Sequence, residues 1–199
     1  LPRFPLAPGH ACPAAPNFAE AAYRALGADQ AADRIVRGGD SAGGALALTV
    51  LAGLLRGGAP LPAGVFAFSP LTDMSFSGDS IRANAATEAV LPAERVDDMG
   101  AMYLGDVNPT DPDVSPLFAD FTGAPPVWIT VGDTEILFDD SRRILDRMTA
   151  QNVPVTYVEE RDLPHVWPIF HNMLPEARAT IDTLAAWIGD QASSSDPTR

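Results

Sequence analysis

The sequence predicts an α/β domain with a mainly parallel sheet flanked by helices. Three observations carry that prediction. Short, wholly apolar runs recur along the chain, as in strands buried on both faces. Stretches with helical apolar spacing separate them. The two kinds alternate strand, helix, strand, helix, with no internal repeat and no flexible linker. The 199 residues suit one domain with a real core.

Residues 1–16 hold five prolines, which fix φ and remove donors, so an extended loop is expected. From Asn17, an expected N-cap, Phe18, Ala21, Ala22, Ala25 and Leu26 share a helical face that Gly27 closes. Residues 34–37 form the first expected strand and run into Gly38-Gly39. Residues 42–55 are rich in Ala and Leu, which favours helix, and apolar almost all round, which favours burial against the sheet. Residues 65–68 are the second strand, closed by Ser69-Pro70. No period is visible over residues 71–92, so loop is expected there. A helix over residues 93–104 ends at Gly105, and the proline-rich residues 106–126 form an irregular connection. Residues 127–131 are the third strand, and residues 139–152 a helix with Ile144, Leu145 and Met148 on one face. The fourth strand falls at residues 153–158, and a loop follows at 161–170. The last helix, residues 174–189, carries the stripe Ile181, Leu184, Ala185 and Ile188. One domain is expected over residues 1–190, with a disordered polar tail over 191–199.

Composition removes several chemistries. A hydrophobic fraction of 46% and a charged fraction of 20% are ordinary globular values. The longest apolar run, residues 45–55, is too short to cross a bilayer. A net charge of −13 gives no electrostatic footprint for nucleic acid. All 13 basic residues are Arg, so a P-loop lysine, a Schiff-base lysine, a pyridoxal-phosphate site and a Ser-Lys dyad are excluded. The single cysteine, Cys12, excludes an internal disulfide and a Cys-rich zinc site and is expected to be a packed or idle thiol. His10, His165 and His171 show no HExxH spacing, so no metal or other cofactor is expected. No secretory pattern opens the chain, and a cytoplasmic protein is expected. Serine chemistry is prominent among what is left.

The strongest motif is Gly39-Asp40-Ser41-Ala42-Gly43-Gly44, which fits G-x-S-x-G between an expected strand and an expected helix. In such an elbow the serine sits on a sharp turn with its hydroxyl exposed. Gly39 and Gly43 are expected to remove Cβ atoms that would crowd it. The helix N-terminus favours negative charge on a developing oxyanion, and the Ala42 N–H is an expected donor to it. An elbow serine needs a base. His165 lies in a loop after the fourth strand, where a catalytic imidazole would sit, whereas His171 reads as a capping or surface residue. The acid belongs on the loop after the third strand. Asp139 and Asp140 suit the N-terminus of the next helix. Spacing alone leaves Asp133 and Glu135 nearly equal.

Further motifs extend along the chain. Residues 6–15 read LAPGHACPAA, close to LAPEHPFPAA; residues 69–73 read SPLTD, close to SPWTD; residues 113–117 read DVSPL, close to DPxxSPL. With GDSAGG, the segment 132–140 and Leu163-Pro164-His165-Val166-Trp167, they resemble the bacterial hormone-sensitive-lipase family of α/β-hydrolase esterases over about Leu6 to Ile188. The resemblance implies an α/β-hydrolase fold and a triad of Ser41, Glu135 and His165. It assigns His10 and Asp73 to scaffolding, and it implies short-chain esters, acetylated small molecules or lactones as substrates. The family's HGGG segment, cap helices and first strands would precede Leu1, so the chain is expected to be a C-terminal portion with one oxyanion donor. Strand 153–158 and helix 174–189 resemble the family's dimerisation edge, and a homodimer is expected. The alternative is a non-catalytic binding protein or inactive fragment on the same fold. The plant gibberellin receptors resemble the family but lack its histidine, and His165 stands in its motif here.

Overall fold

The computed structural model describes residues 3–193. Four parallel strands lie side by side in chain order: β1 (Val36–Asp40), β2 (Gly64–Phe68), β3 (Val127–Gly132) and β4 (Val155–Glu160). The α-helices are α1 (Ala14–Leu26), α2 (Ala42–Arg56), α3 (Ser80–Ala83), α4 (Val96–Leu104), α5 (Phe138–Ala150) and α6 (Pro175–Ser193).

Alternation of side chains divides the core into two layers. Val65, Ala67, Val127 and Ile129 face Leu48 and Leu51 of α2 and Ile144 and Met148 of α5. Phe66, Phe68 and Trp128 face the other way, against Leu184, Trp187 and Ile188 of α6. β3 is buried along its whole length, which is why its sequence is apolar without alternation. The indole rings of Trp128 and Trp187 meet edge to face at 5.8 Å.

Several boundaries differ from the sequence expectation. β1 is placed two residues later and continues through Gly38-Gly39, while Arg34 belongs to a 3-10 turn (Ala32–Arg34). The glycine pair marks close packing inside a strand, not its end. A Cβ on Gly38 would lie 2.4 Å from the Phe66 ring on β2. α1 starts at Ala14, with Pro13 at the cap in place of Asn17 and Pro16 in the first turn. A first-turn proline loses no intrahelical hydrogen bond, so the prolines did not exclude helix there. β4 starts at Val155, because Val153 donates its N–H to Met148 O at 3.0 Å and Asn152 turns the chain at φ 60. The short helix α3 interrupts the expected loop over residues 71–92. α6 runs on to Ser193, so residues 191–193 of the expected tail are helical, and 194–199 lie outside the described residues.

Asp140 ties α5 to the loop after β2. The sequence suggested a helix-dipole role. Its carboxylate instead reaches across, and Oδ2 accepts the N–H groups of Thr72 at 2.6 Å and Asp73 at 2.9 Å. Asp73, equally buried, accepts from Ser75, Ser77 and Arg143. Burial opposes ionisation of Asp73, but those hydrogen bonds hold its carboxyl below the usual value. At Asp140 the outcome is reversed. Burial outweighs the two N–H donors and pushes its carboxyl from 3.8 up to about 7.

The folded state therefore holds the Asp140 proton more tightly than the unfolded chain does. Its contribution to stability is complete below about pH 4 and is lost as pH rises to about 7. Asp140→Asn cannot ionise. Between pH 4 and pH 7 the wild-type melting temperature is expected to drop several degrees relative to the variant's, roughly 2–4 °C per kcal/mol. Scanning calorimetry at both pH values checks this.

Candidate active site

β1 delivers the chain to Ser41, which adopts φ 52 and ψ −119 before α2 begins at Ala42. A side-chain-bearing residue in that region is strained by about 1–3 kcal/mol and needs its surroundings to hold it. Both backbone polar groups of Ser41 are held. Its N–H donates to Phe68 O at 2.8 Å, and its carbonyl accepts from Ala45 N at 3.1 Å and Leu71 N at 3.2 Å. A Cβ on Gly39 would lie 2.4 Å from the Gly43 carbonyl, and one on Gly44 would lie 3.1 Å from Pro70 Cβ. Gly43 differs from the expectation, since a Cβ there meets nothing within 4 Å. Its backbone, not its missing side chain, is what the turn packs against. Asp40 is exposed. The Ala42 N–H belongs to the first-turn donors that a helix cannot use internally.

The structure joins Glu135 and His165. Glu135 Oε2 lies 2.6 Å from His165 Nδ1, and the two residues are only 1% and 2% exposed. Asp133 is turned away, its Oδ1 accepting the Asp162 N–H at 2.8 Å. That contact braces the acid loop against the histidine loop, and of the two carboxylates that spacing could not separate, it is Glu135 that meets the imidazole. Asp139 accepts from Ser80 N at 2.8 Å. His10 and His171 are exposed. His165 Nε2 is shielded from solvent and has no hydrogen-bond partner among the described residues, so the Ser41 hydroxyl is not bonded to it.

Sequence reasoning missed Ser69 as part of this site. It follows β2 at φ 45, fully buried. Its hydroxyl donates to Glu135 Oε1 at 2.8 Å and accepts the Val166 N–H at 3.1 Å. The Gly132 N–H is the second donor to Oε1, at 2.5 Å. Val166 is itself left-handed at φ 53, a rare state for a β-branched residue. The turn over residues 68–71 thus touches all three candidates: Ser41 through Phe68 O and Leu71 N–H, Glu135 through Ser69 Oγ, and the histidine loop through Val166. The SPLTD motif contained Ser69, but its φ and burial have no sequence signature.

Ser41 and Ala42 form part of the wall of a cavity of about 260 Å³. Leu46, Leu71, Met74, Leu91 and Leu137 make the lining strongly apolar. Tyr103 also lines it and accepts the Cys12 N–H on its carbonyl at 2.8 Å. Burial pushes the Cys12 thiol up, as in a packed, unactivated cysteine. Among the described residues no group of His, Cys, Asp or Glu is arranged to hold a metal ion, and no helix is long and apolar enough to cross a membrane.

The fold has close counterparts among known proteins. The family model for the alpha/beta hydrolase fold matches residues 1–169. The chain belongs to the α/β-hydrolase fold family. The chain is 38% identical over 178 residues to an acetyl-hydrolase of Streptomyces hygroscopicus, covering 88% of this chain and 59% of that protein. It is 33% identical over 184 residues to an esterase of Acinetobacter venetianus, covering 92% of this chain and 61% of that protein. Among solved structures, an esterase of the bacterial hormone-sensitive lipase family superposes with a TM-score of 0.92 at 39% identity, covering 96% of this chain and 64% of that one. The chain spans about 60% of the length of the first two of these curated relatives.

The two elbow glycines present a sharp contrast. Gly39→Ala forces a methyl into backbone and is expected to destabilise by roughly 1–3 kcal/mol or more. Gly43→Ala meets open space and gains helix propensity, so it is expected to be neutral or to stabilise by up to about 1 kcal/mol. Urea unfolding of both variants measures the difference.

Proposed function

We propose that the chain is the catalytic portion of a serine carboxylic-ester hydrolase that works through an acyl-enzyme. The observation that carries the proposal is a strained serine opening on an apolar cavity, connected through one turn to a buried carboxylate–imidazole pair. Ser41 Oγ attacks the acyl carbon. His165 takes its proton at Nε2, the ring nitrogen left free by the bond from Nδ1 to Glu135. Glu135 fixes that tautomer and stabilises the imidazolium. The Ala42 N–H, at the positive end of α2, donates to the developing oxyanion. His165 then protonates the leaving alkoxide, and water, activated by the same imidazole, releases the acid. No step calls for a metal or cofactor.

Short-chain esters, acetylated small molecules or lactones are the proposed substrates. The apolar lining around Ser41 and the names of the relatives, acetyl-hydrolase and esterase, support that class. We further propose a homodimer through β4, an edge strand of the sheet among the described residues, and α6.

A p-nitrophenyl ester series from acetate to octanoate tests the chemistry. Ser41→Ala is expected to lower kcat by on the order of 10⁴ or more and to abolish fluorophosphonate labelling. Glu135→Gln is expected to cost about 10³–10⁴, since the amide cannot hold the imidazolium. Unchanged turnover in Ser41→Ala would refute the proposal. Light scattering at micromolar concentration tests the dimer, and a monomeric mass would refute it.

A further inference from the structure

The acid loop has no regular secondary structure, so the polar groups of its backbone need partners from elsewhere. Residues 80–88, which showed no pattern in the sequence, supply them. Asn84 Nδ2 donates to Asp133 O at 2.9 Å and to Glu135 O at 2.8 Å. Thr87 Oγ1 lies 3.0 Å from Asn84 O and 3.2 Å from Thr134 O, with one proton for the two, and Ser80 Oγ donates to Ile136 O at 2.6 Å. Each carbonyl from Asp133 to Ile136 thus lies within hydrogen-bond reach of a side chain of this segment. Glu88 completes the set by accepting the Ile136 N–H on Oε2 at 3.0 Å.

Glu88 differs from the others because its second oxygen faces away from the acid loop. Oε1 accepts the N–H groups of Val90 at 2.8 Å and Leu91 at 3.2 Å. Leu91 lines the cavity beside Ser41, as do Val96 and Leu137. Leu91, Val96 and Leu137 also pack in one apolar cluster with Ile81 and Ile136, and Ile136 directly follows Glu135. One carboxylate therefore holds a wall of the cavity with one oxygen and the loop bearing the candidate acid with the other.

We propose that Glu88 is a positioning residue that locks the Leu91 wall of the cavity to the Glu135 loop, so that what fills the cavity bears on how firmly the acid is held. The role rests on the ester-hydrolase function proposed above. Asn84 supplies the contrast, because its side-chain amide bonds the acid loop and not the cavity wall.

Two measurements test the proposal, and the first needs no turnover. Hydrogen exchange is followed at Leu91 and Ile136 with and without 1-octanol, an apolar probe for the cavity. In the wild type octanol is expected to slow both amides. In Glu88→Ala both should exchange roughly tenfold faster without probe, the loss of a charge-assisted acceptor. Octanol should then slow Leu91 only. Protection of Leu91 but not Ile136 in the wild type would overturn the proposal, as would protection of both in Glu88→Ala.

The second measurement is the octanoate-to-acetate ratio of kcat/KM. Asn84→Ala is expected to lower kcat several-fold with the ratio unchanged. Glu88→Ala should lower kcat and also change the ratio at least threefold, and Glu88→Gln, which keeps one acceptor oxygen, should fall between. A wild-type ratio in a Glu88→Ala protein with native circular dichroism would overturn the coupling. If Glu88→Ala does not fold, Glu88→Gln carries both measurements. Wild-type protein that hydrolyses no ester would count against the proposed function alone, and the exchange experiment would still decide the role of Glu88.

Discussion

The buried pair of Glu135 and His165 imposes the constraint on which the rest of the site depends. A carboxylate almost without solvent contact must find hydrogen bonds or lose its charge. Glu135 finds three partners: the imidazole, the Ser69 hydroxyl and the Gly132 N–H. Each fixes a different part of the structure. The imidazole holds the loop after β4, Ser69 holds the turn after β2, and Gly132 is the end of β3 itself. Three adjacent strands are thus registered to one another at their carboxyl ends by a single side chain.

Strain is concentrated at the same place. Ser41, Ser69 and Val166 all have positive φ without being glycine; the first two directly follow β1 and β2, and Val166 lies in the loop after β4. Each is tied by a hydrogen bond to another member of the site: Ser41 N–H to Phe68 O, and Val166 N–H to Ser69 Oγ. Strained backbone persists when its surroundings over-determine it. Here the strained residues are part of one another's surroundings. The sheet supplies the rigid base, with β3 buried throughout and α2 and α5 packed on one face against α6 on the other.

Much of this was legible in the sequence because it rests on periodicity and on glycine. The apolar runs gave four strands in the right order, and GDSAGG placed Ser41 between a strand and a helix. Boundaries failed where one residue type serves two purposes. Gly38 and Gly39 looked like a stop but are close-packing positions in a strand, and Pro13 and Pro16 looked like loop but fit a helix start. The partition between Asp133 and Glu135 was not legible from spacing, since it depends on which carboxylate faces a loop thirty residues away; the family resemblance favoured Glu135. Ser69, Asn84 and Glu88 were invisible for a related reason. They act on backbone groups of distant segments, and such contacts impose no local pattern.

Ser41 is anchored entirely through main-chain atoms, to Phe68 O and the Leu71 N–H, although Leu71 also lines the cavity with its side chain. The anchoring of Ser41 therefore tolerates any side chain at position 71 that leaves the N–H in place, which excludes only proline. The same separation applies to Leu46 and Met74, which shape the cavity without carrying a hydrogen bond of the site. Evolution could exchange these residues to change what the cavity accepts while leaving the reactive geometry untouched. The fold thereby separates a main-chain frame from an interchangeable mould.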